Sequence, residues 1–361
     1  MRYAWQSIKP LWQRKTGFRL ALIYLALIFL LTLILPLLPL PYPPEYLDLE
    51  HPYLAPFTPA ALESGHPLGT DGLGRDLLAN TLYGARTAFL ISLPVMLLAT
   101  GIGIVLGTAA GYFGNNGLRH PLHRLFFYLL AVPVVANYGL YIPWQVYQQG
   151  AALSYFWWAL IILCGSLLAL WLLFRWLGKR HAIWSSSVAV PVDKGVMRLT
   201  EALNSIPRFV LILVLASFLP PSLPLLSLLL VFTLWPGTAR LARAEMLRIK
   251  ELPYFEAAIS IGNTPTRLLW RHALPNLVGP TLVAFTFGLG GVLALESSLS
   301  FLNIGVPSSL VSWGRTIAGI RNNTSAWWLV AFPGGLLSLT VLALYTCSNY
   351  FMQIFSSKSR V

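Results

Sequence analysis

AFLISLPVMLLATGIGIVLGTAAGY, at residues 88–112, is a run of 25 residues without a charged side chain. An α-helix rises about 1.5 Å per residue, so roughly 20 apolar residues cross a hydrocarbon core about 30 Å thick. The run therefore predicts a membrane-spanning helix. Because Gly103, Gly107 and Gly111 recur every four residues, we expect one face of this helix to pack closely on a neighbouring helix, in this chain or in a partner.

Apolar runs of similar length occur along the rest of the chain, which is 56% hydrophobic and 10% charged. Soluble domains carry about 25% charged residues, so the composition excludes a soluble globular protein. The first run is followed by PYPPEY without a cleavage signature, which favours a retained span over a signal peptide. Cys164 and Cys347 lie inside apolar runs and indicate neither a disulfide framework nor a metal cluster. The further runs are 20–40, 125–146, 153–174, 277–299 and 326–351.

A proline pair interrupts the apolar stretch 209–235 and leaves two interpretations. Pro220 and Pro221 either kink one long helix or turn a hairpin of two short helices. Lys and Arg concentrate in short cytoplasmic loops. If the stretch forms a hairpin and the N-terminus is cytoplasmic, four of the 25 Lys and Arg residues lie outside the membrane: Arg75, Arg86, Arg315 and Arg321. The charges therefore favour eight spans with both termini in the cytoplasm, with residues 203–206 lengthening the short half 209–219.

The predicted spans divide the chain into four parts. A cytoplasmic N-terminus and the first span are followed by a loop outside the membrane, a membrane domain and a cytoplasmic tail. Their predicted bounds are 1–40, 41–86, 87–351 and 352–361.

The predicted outer loop ends in HPLGTDGLGRDLL at residues 66–78, where four polar side chains fall close together. One interpretation is an acid/base or metal site, and His66, Asp71 and Asp76 would then serve a membrane enzyme acting on lipid-linked substrates. The other is a turn whose glycines bend the chain while its polar groups, Arg75 included, bond the loop's own backbone. The glycines favour the second interpretation.

LPYFEAAISIGNTPTRLLWRHALPN, at residues 252–276, falls on the predicted cytoplasmic side. Pro253 suits the first turn of a helix, and Gly262 suits the left-handed residue that ends one. Thr264 and Pro265 then cap and begin a second helix. Two short amphipathic helices are expected, either docking to a cytoplasmic protein or lying on the lipid headgroups.

The same stretch resembles the EAA loop of permease subunits in bacterial ABC importers. The ending RHALPN is similar to the dipeptide, oligopeptide and nickel branch, as are HPLGTDGLGRDLL at 66–78, LGTAAGYFG at 106–114 and ESSLSFLNIGV with SWG at 296–306 and 312–314. Asn303 replaces a glycine of the family pattern, and the usual C-terminal motif is absent. The residues that match the loop are Glu256, Ala257, Ala258, Gly262, Arg271, His272, Leu274 and Pro275.

The resemblance implies an all-α polytopic protein with a type I ABC importer permease-like fold, one half of a translocation pore. The family's six spans become about eight here, because two helices at about 125–176 are inserted. Peptides or a related small solute would cross the cytoplasmic membrane by alternating access. The implied partners are cytoplasmic ABC ATPase subunits, a second permease subunit, an outside binding protein and the lipid membrane, but no nucleic acid.

An ATP-binding chain would carry a phosphate-binding loop, which needs a Gly-Lys pair followed by Ser or Thr. The one such pair, Gly178 and Lys179, precedes Arg180. ATP is therefore expected on partner subunits, and the chain is expected to be a transporter subunit without cofactor, metal or catalytic residue. An exporter-type permease remains an alternative interpretation.

Glu296 is the one acidic residue inside a predicted span. A carboxylate at the bilayer centre costs several kcal/mol. At 1.5 Å per residue from Leu277, Glu296 is expected about 28 Å along the helix, near the outer interface. Two interpretations follow. In the structural one, Glu296 caps backbone groups or pairs with Arg315 or Arg321. In the functional one, it lines the pore mouth and attracts a cation such as a peptide amino terminus.

Overall fold

The structure is a computed structural model that describes residues 15–44, 46–148, 153–218, 220–307 and 309–358. In these ranges, seven helices are long and apolar enough to cross a membrane, and one bent helix pair brings the number to eight if it counts as a span. The chain is therefore an all-α polytopic membrane protein, as the composition predicts.

The helices are numbered here in chain order. The longer ones are α1 (Thr16–Ile34), α3 (Leu77–Phe113), α4 (Leu122–Val134), α6 (Leu153–Arg180), α8 (Val192–Asn204), α10 (Leu223–Lys250), α13 (Leu274–Phe301) and α15 (Trp328–Lys358). The shorter ones are α2 (Pro59–Glu63), α5 (Ile142–Gln148), α7 (Ala182–Ser185), α9 (Arg208–Ser217), α11 (Pro253–Ser260), α12 (Pro265–Arg267) and α14 (Trp313–Ala318). Turns of 3₁₀-helix cover Leu35–Leu37 and Gly319–Arg321, turns of π-helix cover Val135–Tyr141 and Leu268–Ala273, and the strands are β1 (Arg119–Pro121) and β2 (Ser187–Ala189).

The chain divides into two compact units, residues 1–111 with 196–361, and residues 112–195. In the first unit, helices α3, α10 and α13 supply most of the buried apolar side chains, among them Val95, Leu230 and Leu293. Trp313 closes this core and donates its indole N–H to the carbonyl of Thr81 over 2.8 Å.

Helix α1 packs on the last helix, α15. The ring of Phe18 meets the rings of Tyr350 and Phe351 edge to face, at centroid distances of 5.7 and 5.8 Å. The hydroxyls of Tyr24 and Thr340 are hydrogen-bonded over 2.9 Å. The first and last spans therefore form one pair, although more than 300 residues separate their contacts.

The small face of α3 packs directly on α10. A Cβ added to Gly103 would lie 2.6 Å from the Cβ of Thr238, and one added to Gly111 would lie 2.8 Å from the Cβ of Met246. A Cβ at Gly107 would overlap the backbone of Ala239. The close packing expected from the glycine spacing is confirmed, and the neighbouring helix lies in the same chain.

The stretch around the proline pair departs from expectation. The chain does break at Pro220 and Pro221, after which Ser222 caps α10 by accepting the N–H of Leu225 at 3.3 Å. However, α8 and α9 meet at 78°, so residues 203–206 do not lengthen α9. Pro207 explains the bend, because a proline disfavours helical backbone at the residue before it. Helix α9 alone has 10 residues, about 15 Å, so it does not cross a bilayer by itself.

The described residues of the second unit, 112–148 and 153–195, form a helical hairpin closed by a two-stranded ribbon. Strands β1 and β2 are antiparallel, with His120 opposite Val188, and were not predicted. Helices α4 and α6 meet through the stacked rings of Phe126 and Phe174, and the His123 imidazole Nδ1 lies 2.9 Å from the carbonyl oxygen of Trp184. Most described side chains of α4 and α6 are exposed, which suits a hairpin surrounded by lipid.

Helix boundaries differ from the predicted parts at two places. Helix α3 already begins at Leu77, so the last ten residues of the predicted outer loop 41–86 are helical. With 37 residues it is about 55 Å long and extends beyond a 30 Å core. Helix α15 continues to Lys358, so the predicted tail 352–361 is helical through most of its length.

Candidate functional site

The EAA-like stretch folds into a short helix that ends at a glycine turn. Leu252 is the N-cap of α11, and Pro253 follows in the first turn, where its missing N–H costs nothing. Gly262 has φ of 80°, a left-handed conformation that disfavours other residues. The side-chain N–H of Asn263 donates to the carbonyl of Ala258 at 2.8 Å, which gives a carbonyl in the last turn of the helix a hydrogen-bond donor.

The second half of the stretch is not the separate short helix that the sequence predicts. Helix α12 begins after Thr264, whose side chain caps no backbone N–H. It continues through the π-helical turn Leu268–Ala273 into α13, forming one helical span over Pro265–Phe301. Pro275 does not stop the helix, because it falls in the first turn of α13, directly after the wider π turn.

One face of α11 is anchored and the other is open. Phe255 is 0% exposed, and Ala258 is also buried. Glu256 and Ala257 lie on the exposed side, where the carboxylate of Glu256 has no partner among the described residues. Beyond them, Ile261 is 79% exposed and Trp270 is 71% exposed. Large apolar side chains thus surround an acidic helix at the surface of the first unit.

Side-chain hydrogen bonds tie α11 to the start of α13. The amide N–H of Asn276 donates to the hydroxyl of Tyr254 at 2.9 Å and to the carbonyl of His272 at 2.8 Å. Partial burial raises the pKa of the Tyr254 phenol, which keeps it neutral. The sequence pattern does not predict this bond, and its one signal is the polar residue directly after the Leu-Pro pair. Of the remaining motif residues, Arg271 and Pro275 are exposed, and His272 and Leu274 are half-buried.

The polar side chains of the outer loop bond one another and the loop backbone. The buried His66 ring lies between two carboxylates, with Nδ1 3.1 Å from Asp76 and Nε2 3.4 Å from Asp48. A hydrogen bond with His51 holds the pKa of the Asp48 carboxyl below its usual value. The other oxygen of Asp76 accepts the N–H of Ala79 at 2.8 Å, so it caps α3.

Asp71 does not join the His66 cluster. Its carboxylate accepts the backbone N–H groups of Leu73 and Arg75, both at 2.9 Å. Among the described residues, no group of three or more His, Cys, Asp or Glu is placed to hold a metal ion. The geometry therefore gives these side chains a role in building the loop.

Glu296 lies deeper than the sequence predicts. It is 0% exposed, and its carboxylate accepts hydrogen bonds from Ser300 at 2.8 Å and Ser297 at 3.4 Å. The carboxylate is therefore shielded from water within the described chain, and the pore-mouth role stays a prediction. Of the two arginines considered as its partners, Arg315 donates to backbone carbonyls and also attracts the Glu296 carboxylate electrostatically, whereas Arg321 lies 4.0 Å from the centre of the Phe301 ring.

Comparison with known proteins identifies a family for this arrangement. A family model described as "Binding-protein-dependent transport system inner membrane component" matches residues 182–361, which include the glycine turn, α13 and α15.

Curated relatives align over a longer part of the chain. A protein of Brucella suis biovar 1 that carries the provisional name peptide transport system permease protein is 28% identical over 289 residues, 80% of this chain and 71% of its own length. A second Brucella suis protein, provisionally named a peptide permease protein, is 27% identical over 84% of this chain and 75% of its own. A Sinorhizobium fredii protein, provisionally named a peptide ABC transporter permease protein, is 34% identical over 169 residues, 46% of this chain and 58% of its own.

Proposed function

We propose that this chain, which belongs to the family of binding-protein-dependent transport system inner membrane components, is a permease subunit that imports peptides or a related small solute. The family description supports import, since a binding protein delivers solute to an importer, and it disfavours the exporter interpretation. The names of the relatives support peptides as the solute. The chain acts in transport and is not an enzyme in its own right.

The observation that carries the coupling mechanism is the open face of α11. Its anchored side, with Phe255 and Ala258, fixes the helix to the chain, while Glu256 and Ala257 present a small acidic surface. A cytoplasmic ABC ATPase subunit would dock here, because an amphipathic helix fits a groove on a partner. ATP bound and hydrolysed on that partner would then move α11, and α13 would carry the motion into the membrane.

Two further partners complete the proposed transporter. A second permease subunit would form the other half of the pore, and an outside binding protein would deliver the solute. With 21 of the 25 Lys and Arg assigned to the inner side, both termini would lie in the cytoplasm of a bacterial cell. The membrane-enzyme interpretation is disfavoured, because Asp71 and Asp76 are occupied by backbone N–H groups of their own loop.

A charge reversal at Glu256 tests the docking surface. We expect Glu256→Lys to lower ATP-dependent uptake of a labelled tripeptide at least about tenfold, since a mispaired charge at an interface costs several kcal/mol. The membrane abundance of the chain should not change, because the Glu256 side chain has no partner among the described residues. Uptake in whole cells and quantitative blotting of membranes measure the two quantities.

The matched control is Glu201→Lys. Glu201 is also exposed on the predicted cytoplasmic side and pairs with Arg198 at 3.2 Å, a surface ion pair worth little. Uptake by this variant should match that of the unmodified chain. If Glu256→Lys transported as well as the control, α11 would not be the docking helix, and lipid headgroups would become its expected contact.

A further inference from the structure

A cavity of about 430 Å³ lies between the outer loop and the segment that joins α13 to α15. Its wall includes Asp71, Arg75 and Asn80 on one side and Arg315 on the other. Binding sites for small molecules usually have volumes of about 300 to 1,000 Å³. The cavity is thus large enough for a short peptide end, and it is lined by residues of the first unit alone.

Two polar groups in this wall lack partners. Asn80 is 3% exposed, and its side-chain oxygen accepts no hydrogen bond from any described residue. The Nε of Arg75 is also buried without a partner among those residues. Buried polar groups are nearly always hydrogen-bonded in folded proteins. A donor facing Asn80 and an acceptor facing Arg75 would satisfy both.

The wall carries two guanidinium groups, those of Arg75 and Arg315. Arg315 is held in place by hydrogen bonds to the carbonyls of Val306 and Leu310, at 2.7 and 2.8 Å. Burial, and then the positive charge of Arg75, lower the pKa of the Arg315 guanidinium. Asp71 is the one acidic residue among the lining residues of the described chain, and the buried Glu296 carboxylate also attracts Arg315. Arg75 is therefore the positive charge with which a carboxylate in the cavity would pair.

We propose that the cavity binds the carboxyl-terminal end of a peptide. The guanidinium of Arg75 donates to the terminal carboxylate, for which its planar fork is well suited. The side-chain oxygen of Asn80 accepts the last peptide N–H, a donor that a simple anion such as acetate lacks. This assignment rests on the proposed function for the peptide, while the cavity and its unpartnered groups stand independently of transport.

Direct binding to the assembled transporter in lipid nanodiscs, without its binding protein, tests the assignment. Radiolabelled trialanine should bind saturably, and trialanine with an amidated C-terminus should bind at least about tenfold more weakly, since hydrogen bonds to charged groups carry that difference. Arg75→Gln should weaken trialanine binding by a similar factor. The matched control, Arg321→Gln, should bind as the unmodified protein does, because Arg321 faces Phe301 and does not line the cavity.

Three outcomes would overturn the assignment. These are the absence of saturable trialanine binding to the unmodified protein, equal binding of the amide, and unchanged binding by Arg75→Gln. Displacement of trialanine by inorganic phosphate as readily as by free alanine would indicate a general anion site and would also overturn it. Uptake into proteoliposomes that contain the same transporter, supplied with its binding protein and ATP, separates the two proposals. Loss of uptake with intact trialanine binding contradicts the transport function, and uptake that does not distinguish trialanine from its amide contradicts the cavity.

Discussion

At the scale of single residues, the contact between α3 and α10 depends on the absence of side chains. Gly107 lies against the backbone of Ala239, so that the two helices approach more closely than any larger residue allows. Gly101 is in the same helix, and a Cβ there would meet nothing within 4 Å. These two glycines differ in surroundings and share the same helical backbone.

We expect Gly107→Ala to destabilise the protein by about 1–3 kcal/mol, because an added methyl group in a packed contact forces the helices apart. Gly101→Ala should leave stability unchanged or raise it slightly, because alanine is the better helix former. Thermal unfolding of the two purified variants in the same detergent measures the difference. Equal unfolding temperatures would show that the close contact between α3 and α10 does not contribute to stability.

The residue type at a position predicts some local features and not others, as Asn303 and Glu296 illustrate. Asn303, where the family has glycine, adopts φ of 59°, and asparagine is one of the few residues that tolerates this region. Asn303 therefore has a backbone conformation that glycine also adopts readily. The burial of Glu296 was not predictable, because it depends on which other helices pack against α13.

At the scale of elements, the glycine turn after α11 sets the position of the proposed docking surface. The backbone N–H of Gly262 donates to the carbonyl of Ile259 at 2.9 Å. No atom lies within 4 Å of a Cβ built on Gly262. Substitution there is therefore limited by backbone conformation, and space is not the constraint.

We expect Gly262→Ala to lower uptake mildly, because a left-handed alanine costs about 1 kcal/mol. Gly262→Pro should abolish uptake, since proline fixes φ near −65° and removes the donor to Ile259. Both chains should remain in the membrane at normal abundance, because the turn lies outside the buried core. Uptake and membrane blotting of the two variants provide the test, and full uptake by Gly262→Pro would refute the role of the turn.

Sequence patterns predicted elements where one stretch alone determines the structure. The long apolar runs and the ends of α11 at Pro253 and Gly262 follow from local hydropathy and backbone preference. The continuation of α12 into α13 was missed, since it depends on a π turn that no residue preference marks. The bend of 78° before α9 was missed as well, although Pro207 could have indicated it.

At the scale of the whole molecule, the hairpin of residues 112–195 is a separate unit within the chain. The backbone N–H of Val190 donates to the carbonyl of Leu118 at 2.8 Å, directly next to the ribbon of β1 and β2. The chain therefore leaves and returns to the unit at neighbouring points. Two spans are enclosed between them, so their removal would preserve the orientation of everything that follows.

We expect deletion of residues 119–189, with a two-glycine linker, to give a shortened permease that lacks two spans, still reaches the membrane and supports uptake. The buried core that contains Val95, Leu230 and Leu293 draws no residue from the deleted segment. Membrane abundance and uptake should stay within about twofold of the values for the full chain. The two cut ends, Leu118 and Val190, are already hydrogen-bonded to each other, so a short linker joins them at little cost in entropy. Loss of membrane insertion would show instead that the hairpin is required for the fold.

The unbroken helical span Pro265–Phe301 has a mechanical consequence. Its 37 residues make a rod about 55 Å long, with the glycine turn at one end and the wall of the outer cavity near the other. A tilt of about 10° around its midpoint displaces each tip by about 5 Å, given that length. A displacement of about 5 Å at the tip next to the glycine turn thus produces an equal and opposite displacement at the tip next to Phe301.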